Sequence, residues 1–357
     1  MNAMSRWARL GRAGLVALAL VSLAGCDRKP RLVPAGADST AVAPQDSTAA
    51  VVQKVRDAWD QGAADGSAAR ATAALLLADL QMHRVAPLEA RARGLMDSLS
   101  LGAEVDGHGD LAVVNFFSLA DPAGGSWPYL FWRDSVTVRS QPVEGGGMRL
   151  GGSAARPDTS GGGVQAAAMF TRTAPAGPQP LVFVWRRAPH ARQWSLAHTL
   201  GPDSLGGIGT ARFAAGGDSA ALQSRTWRRT PGFEECPSCS HVYVVRRFRW
   251  GPEGFSTIDS QVEDSPYVSF VRFVEAITVP DDELAHELVT DDSVFDTARG
   301  LGFAERRGAW REAPGGGEVP NEMAFFRGSK EAYKITFMRL GGRWKISHIE
   351  SAGRSIE

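Results

Sequence analysis

The residues best placed to do chemistry form one short run, Cys236-Pro237-Ser238-Cys239, followed by Ser240 and His241. Two cysteines at this spacing support three chemistries. In an oxidising compartment they join as a disulfide that fixes a single turn. With the first thiol at a helix start its thiolate is favoured, and the pair exchanges electrons as a dithiol. Together with His241 they offer three of the four ligands that a structural zinc needs. The residues beyond, His241-Val242-Tyr243-Val244-Val245, read as a strand rather than a helix, and no fourth zinc ligand is evident nearby. The disulfide Cys236–Cys239 is therefore the favoured reading, with thiol-redox chemistry as its rival. A c-type haem requires His directly after the second Cys, where Ser240 stands instead.

A second polar run, Glu104-Val105-Asp106-Gly107-His108-Gly109-Asp110, precedes the apolar segment that starts at Leu111. It resembles the calcium loop of integrin-type FG-GAP repeats, and the resemblance implies hard oxygen ligands from Asp106 and Asp110. His108 and Ala112 occupy places where that loop carries acids, and the motif occurs once. An Asp/Gly turn leading into a strand is favoured, and no metal is expected. His286-Glu287-Leu288-Val289-Thr290 lacks the second His of a zinc-protease helix, and no Gly-x-Ser-x-Gly elbow occurs. The Gly-rich stretches 145–152, 161–163 and 314–317 contain no lysine in a phosphate-loop arrangement. The pairs Arg186-Arg187, Arg228-Arg229 and Arg246-Arg247 fall on expected strands, where alternation turns at most one of each pair outward. An anion-binding surface is weighed on these grounds and not favoured. No catalytic residue and no cofactor are expected.

The elements that would position these residues begin with an address. Residues 1–25 carry Arg6, Arg9 and Arg12 ahead of the apolar run Ala13–Gly25, which is too short to span a bilayer comfortably. The tetrad Leu23-Ala24-Gly25-Cys26 resembles the lipobox of bacterial lipoproteins. The resemblance implies cleavage before Cys26, a diacylglyceryl thioether on its sulfur and acylation of its new amine by a fatty acid such as palmitate. Several acyl chains together anchor a protein stably. Asp27 slightly favours retention at the inner membrane, and the chain is expected to face the periplasm. Residues 26–50, rich in Ala, Pro, Ser, Thr and Asp, read as the lipidated cysteine and a flexible tether.

The chain of 357 residues has 43% hydrophobic and 22% charged residues, the balance of a globular protein rather than of a multi-span membrane protein. Basic and acidic residues are equal at 39 each, so no excess positive charge points to nucleic acid. Residues 51–103 show helical periodicity, with Val51, Val52, Val55 and Trp59 on one face, Ser67 as an N-cap and Pro87 opening a third helix. Residues 104–262 read as short strands between Gly/Pro-rich loops: 111–118, 129–133, 135–139, 164–170, 181–187, 193–200, 222–229, 241–250 and 255–259. That spacing suggests a sandwich, a barrel or a partial propeller.

Residues 263–357 are expected to return to helices and then strands. Ser265-Pro266 supplies an N-cap and a first-turn proline, Pro280-Asp281-Asp282 starts a second helix, and a third runs from about Asp292 to Leu301. Gly341-Gly342 offers the positive φ angles of a two-residue hairpin turn. This order of elements resembles the nuclear-transport-factor-two-like α+β domain, whose sheet wraps helices into a cone. The resemblance implies a small-molecule site lined by Phe325, Tyr333, Trp344 and His348. Some relatives of that kind are isomerases or dehydratases with a His or Asp in the cone, but no Asp lies in residues 300–357. The expected fold class is thus α+β and multidomain: N-terminal helices, a β-rich middle, and C-terminal helices packed on an antiparallel sheet. The expected function is a membrane-anchored periplasmic lipoprotein with a non-enzymatic structural or interaction role. Its partners would be the membrane, through Cys26, and an envelope protein or a small-molecule ligand. A small-molecule-binding module is the alternative, and an isomerase/hydratase-like or thiol-redox enzyme the third reading.

Overall fold

The computed structural model describes residues 102–117, 125–134, 137–214, 221–314 and 321–353, together with 72, 73 and 76. The signal segment 1–25, the tether 26–50 and Cys26 lie outside the described residues. So does most of the helical segment expected over 51–103, of which Thr72, Ala73 and Leu76 are helical and buried. Gly102 and Ala103, the last two residues of that range, already belong to the first strand.

The α+β class is not what forms. About 55% of the described residues lie in strands and 15% in helices, and the strands make four antiparallel sheets of four. The first sheet is β1 (Gly102–His108), β2 (Leu111–Phe117), β3 (Ser126–Asp134) and β4 (Thr137–Pro142). The second is β5 (Met148–Pro157), β6 (Val164–Ala174), β7 (Gly177–Arg187) and β8 (Ser195–Leu200). After the short helix α1 (Pro202–Leu205) comes the third: β9 (Ile208–Ala214), β10 (Ala221–Trp227), β11 (Val244–Gly251) and β12 (Gly254–Val262). The fourth, β13 (Trp310–Glu312), β14 (Glu322–Arg327), β15 (Glu331–Leu340) and β16 (Arg343–Ser351), follows helices α2 (Pro266–Thr278), α3 (Asp282–Glu287) and α4 (Asp292–Gly300). Each sheet is a meander in chain order, the topology that antiparallel neighbours joined by short loops produce.

Side-chain alternation stacks the first three sheets. Along β6, Ala166, Ala168 and Phe170 share a core with Leu111, Val113, Leu130 and Trp132 of the first sheet. Ala167 and Met169, one residue out of step, share another with Leu222, Phe248 and Trp250 of the third. A strand buried on both faces needs no polar alternation, which is why the segment from Val164 to Phe170 is almost uniformly apolar. Its three consecutive alanines limit side-chain bulk on both faces. The first strands of these sheets are neighbours, with β1 against β5 and β5 against β9.

In the last quarter of the chain, Ser265 caps α2 by accepting a bond from the Val268 amide at 3.2 Å, with Pro266 in the first turn. Helix α2 buries Tyr267, Phe270, Phe273 and Ile277 against Phe325, Ile335, Phe337 and Ile346 of the fourth sheet. Gly341 and Gly342, at φ 59° and 82°, form the turn closed by Leu340 and Arg343. The backbone of 288–290 runs along the free edge of β16, bonded to Ile346 in both directions.

Candidate functional site

The cysteine run lies in the connection between β10 and β11, residues 228–243, a hairpin loop long enough to suggest a role of its own. It leaves the third sheet and grips the fourth at two places. Phe233 forms a parallel bridge with Trp310: the Trp310 amide donates to Gly232 O at 2.8 Å and the Glu234 amide to Trp310 O at 2.7 Å. Its ring enters the C-terminal core edge-on to Tyr267 and Phe270. Farther along, the Ser240 amide and hydroxyl donate to the Glu312 carboxylate at 2.6 and 3.1 Å.

Between these grips the chain buries a carboxylate. The Glu235 side chain is 1% exposed. It accepts bonds from the Thr230 amide, the Thr230 hydroxyl and the Tyr267 hydroxyl, each at 3.0 Å. Burial alone would push its pKa up. The nearby His241 imidazole, the Thr230 amide, the Tyr267 hydroxyl and the Thr230 hydroxyl outweigh that and hold it below the usual carboxylate range. Tyr267 responds in the opposite sense: burial first, and then the Glu235 charge, keep its phenol protonated far beyond its usual range. His241, whose side chain is fully buried, stacks face to face on Trp227 at 3.5 Å, with Nδ1 4.0 Å from Glu235 Oε1. That separation exceeds a hydrogen bond, and neither ring nitrogen has a partner.

A Glu–His pair is the material of acid–base catalysis, but a general base must reach a substrate proton. Here both side chains are sealed, and Glu235 spends its bonding on Thr230 and Tyr267. Thr230 and His241 lie in the loop, and Tyr267 on the first turn of α2. The cluster therefore ties the loop to the C-terminal helix. Cys236 and Cys239 are joined as a disulfide between Glu235 and Ser240, and the Cys239 amide donates to Cys236 O across the turn. No helix starts at Cys236, so the feature that favours a reactive thiolate there is missing.

The other expected residues are dispersed. Asp106 sits within β1 rather than in a loop, and its Oδ2 accepts from the Ser153 amide at 2.5 Å and the Ser153 hydroxyl at 3.0 Å. His108 Nε2 meets Ser153 O at 2.7 Å. Asp110 lies in the following turn, three-quarters exposed, 3.8 Å from Arg133. Among the described residues no three His, Cys, Asp or Glu side chains gather as metal ligands. Phe325 and Tyr333 are buried core residues: Phe325 stacks on Phe270 at 4.0 Å, and Tyr333 lies edge-on to Phe303. Trp344 packs against the same core, half-buried. His348 is exposed on β16 and is not brought together with the other three. Phe270, Phe303, Phe325 and Phe337 are all fully buried between helices and sheet, so of the suggested lining residues Phe325 and Tyr333 belong to a filled core.

Nothing in the sequence marks which polar residues hold sheet to sheet. Glu104 accepts from Asn115 and the Leu150 amide and pairs with Arg149 at 2.7 Å. Gln141 exchanges two bonds with the Trp194 backbone. Arg156 donates to the Trp250 and Gly251 carbonyls, and Gln165 to Pro252. Glu235 stands unmarked in the sequence beside the cysteines, because its partner Tyr267 lies in another element. No family model matches the chain, and neither a curated protein nor a solved structure shows significant similarity to it.

Proposed function

We propose that this chain is a lipid-anchored scaffold of the bacterial envelope, acting through its surfaces rather than through catalysis. The observation that carries the reading is the use of Glu235. The most chemically suggestive pair in the described residues, Glu235 and His241, is sealed from solvent, and Glu235 is committed to fastening the β10–β11 loop to helix α2. Asp106, His108 and the Cys236–Cys239 disulfide are similarly engaged. The anchor rests on the lipobox Leu23-Ala24-Gly25-Cys26, with residues 26–50 as the tether into the periplasm and Asp27 favouring the inner membrane. No helix among the described residues is long and apolar enough to cross a membrane.

Complementation of a deletion strain tests the reading. Cys26→Ser removes the acylated sulfur and leaves the rest of the chain unchanged. A scaffold that works at the membrane then fails to restore envelope integrity, measured as resistance to detergent and chelator, although the protein accumulates at its normal level. Full restoration by the unanchored protein would contradict the proposal, as would a turnover assay that located a catalytic residue in the cluster.

A further inference from the structure

Several arginines among the described residues are neutralised by acids. Arg149, Arg186, Arg225 and Arg307 each meet a carboxylate: Glu104, Asp158, Glu263 and Glu305. A second group lines a cavity of about 270 Å³ between the third sheet and helix α2, walled by Arg228, Arg229, Arg246 and Arg272. Among the described residues Arg229, Arg246 and Arg272 form no ion pair. Arg228 has only Asp203, at 4.0 Å and fully exposed. The cavity's one acid is Glu275, which is exposed and pairs with none of the four.

Arg246 is seated for this position. Its strand, β11, directs the side chain toward Gly206, just past the end of α1. Gly206 has φ 102°, and a Cβ there would lie 1.6 Å from Arg246 Nη1. Only glycine leaves room for the guanidinium. Nη1 is 3.3 Å from the Thr226 hydroxyl and 3.5 Å from Leu205 O, both neutral oxygens. Leu205 O already accepts from Ser224 and Thr226 at 2.9 Å each. Burial, and then the charge of Arg228, lower the proton affinity of this guanidinium, as expected of a cation gathered with others and given no counter-charge. Val244 and Val271 add apolar wall beside it, which reduces the local dielectric and strengthens the field in the cavity.

We propose that this cavity binds a phosphate group, free or carried by a small organic headgroup. Guanidinium forks match phosphate oxygens in geometry and bond them in pairs, with charge assistance. Four of them around so small a volume suit one compact dianion better than a polymer. The site is independent of the scaffold reading and stands whether or not the chain has another activity.

Titration calorimetry on the full chain, in detergent and at fixed ionic strength, tests the proposal with inorganic phosphate and glycerol 3-phosphate as probes. The expected result is saturable binding of phosphate with no heat from chloride, weakened at least tenfold in Arg246→Gln/Arg272→Gln and unchanged in Arg343→Gln, an exposed arginine elsewhere. Arg272 is exposed on α2, so the single variant Arg272→Gln keeps the native melting temperature and still weakens binding several-fold, which keeps the test valid if the double variant misfolds. Tighter binding of glycerol 3-phosphate than of phosphate assigns the site to a headgroup, and the reverse assigns it to the free ion. Absence of binding by both probes overturns the proposal, and so does binding that survives both arginine substitutions.

Discussion

The first three sheets and the fourth are held to their neighbours in different ways. The first three meet face to face, with β6 burying alternate residues in two cores and polar clamps from β1 and β5 adding direction. The fourth is reached through the 228–243 loop, which reinforces its attachment with one aromatic ring, one buried carboxylate and a pair of serine bonds. The apolar stack spreads its stabilisation over many side chains, so no single polar group decides it. The junction concentrates it in a few residues. Polar groups in such a place are expensive to disturb, because a partner left behind in a dry environment keeps its desolvation cost.

Substitution at Phe233 tests this contrast most severely. Phe233→Ala removes a buried ring that the loop inserts into the C-terminal core, at a cost of about 3–5 kcal/mol. The expected signature in hydrogen exchange is early opening of α2 and the fourth sheet, while β6 and β7 retain their protection. Uniform loss of protection would show that the two regions are not separable. Glu235→Gln preserves the shape but removes the charge, and is expected to cost about 1–3 kcal/mol in chemical denaturation. Asp106→Ala strips the Ser153 amide and hydroxyl of their acceptor. With Asp106 about a third exposed, water replaces part of what is lost, and about 1 kcal/mol is expected in the same assay. Paired replacement of Cys236 and Cys239 by serine should have the smallest effect. The loop closed by that disulfide is so short that its entropic contribution falls at the low end of the usual range, below about 2 kcal/mol, as a shift in melting temperature would reveal.

The same division explains what could be read in advance. Expected strands over 111–118, 164–170, 181–187 and 255–259 fall on β2, β6, β7 and β12, the first three because they bury an apolar run, the last with only Phe255 of its large side chains buried. The strands that no pattern announced are β1, β5 and β9, the first of each of the first three sheets. They carry Gly102, Gly151, Gly152 and Gly209 together with Glu104, Asp106, Arg149 and Arg156, a composition that reads as loop. A backbone that must come close to another sheet favours small residues, and one that clamps it uses charged ones. Neither requirement produces period-two hydrophobicity. The cap at Ser265, the helix start at Pro280-Asp281-Asp282 and the Gly341-Gly342 turn were legible because each is a local rule with a local cause. The site was legible only in part. The cysteines announce their turn, whereas Glu235 becomes meaningful only when Tyr267 is folded onto it.

The central claim is that Glu235 acts as a buried, ionised fastener, and equilibrium unfolding of the full chain against pH tests it most directly. The folded-state pKa of Glu235 lies below its unfolded value, about 4.3 for a free glutamate. Its stabilisation is therefore fully present above that value and is lost as pH falls through the folded pKa. Unfolding free energies of the native chain and of Glu235→Gln, measured from pH 7 down to pH 3, should differ most at neutral pH and converge under acid. A constant difference between the two curves, or none at any pH, would contradict the account.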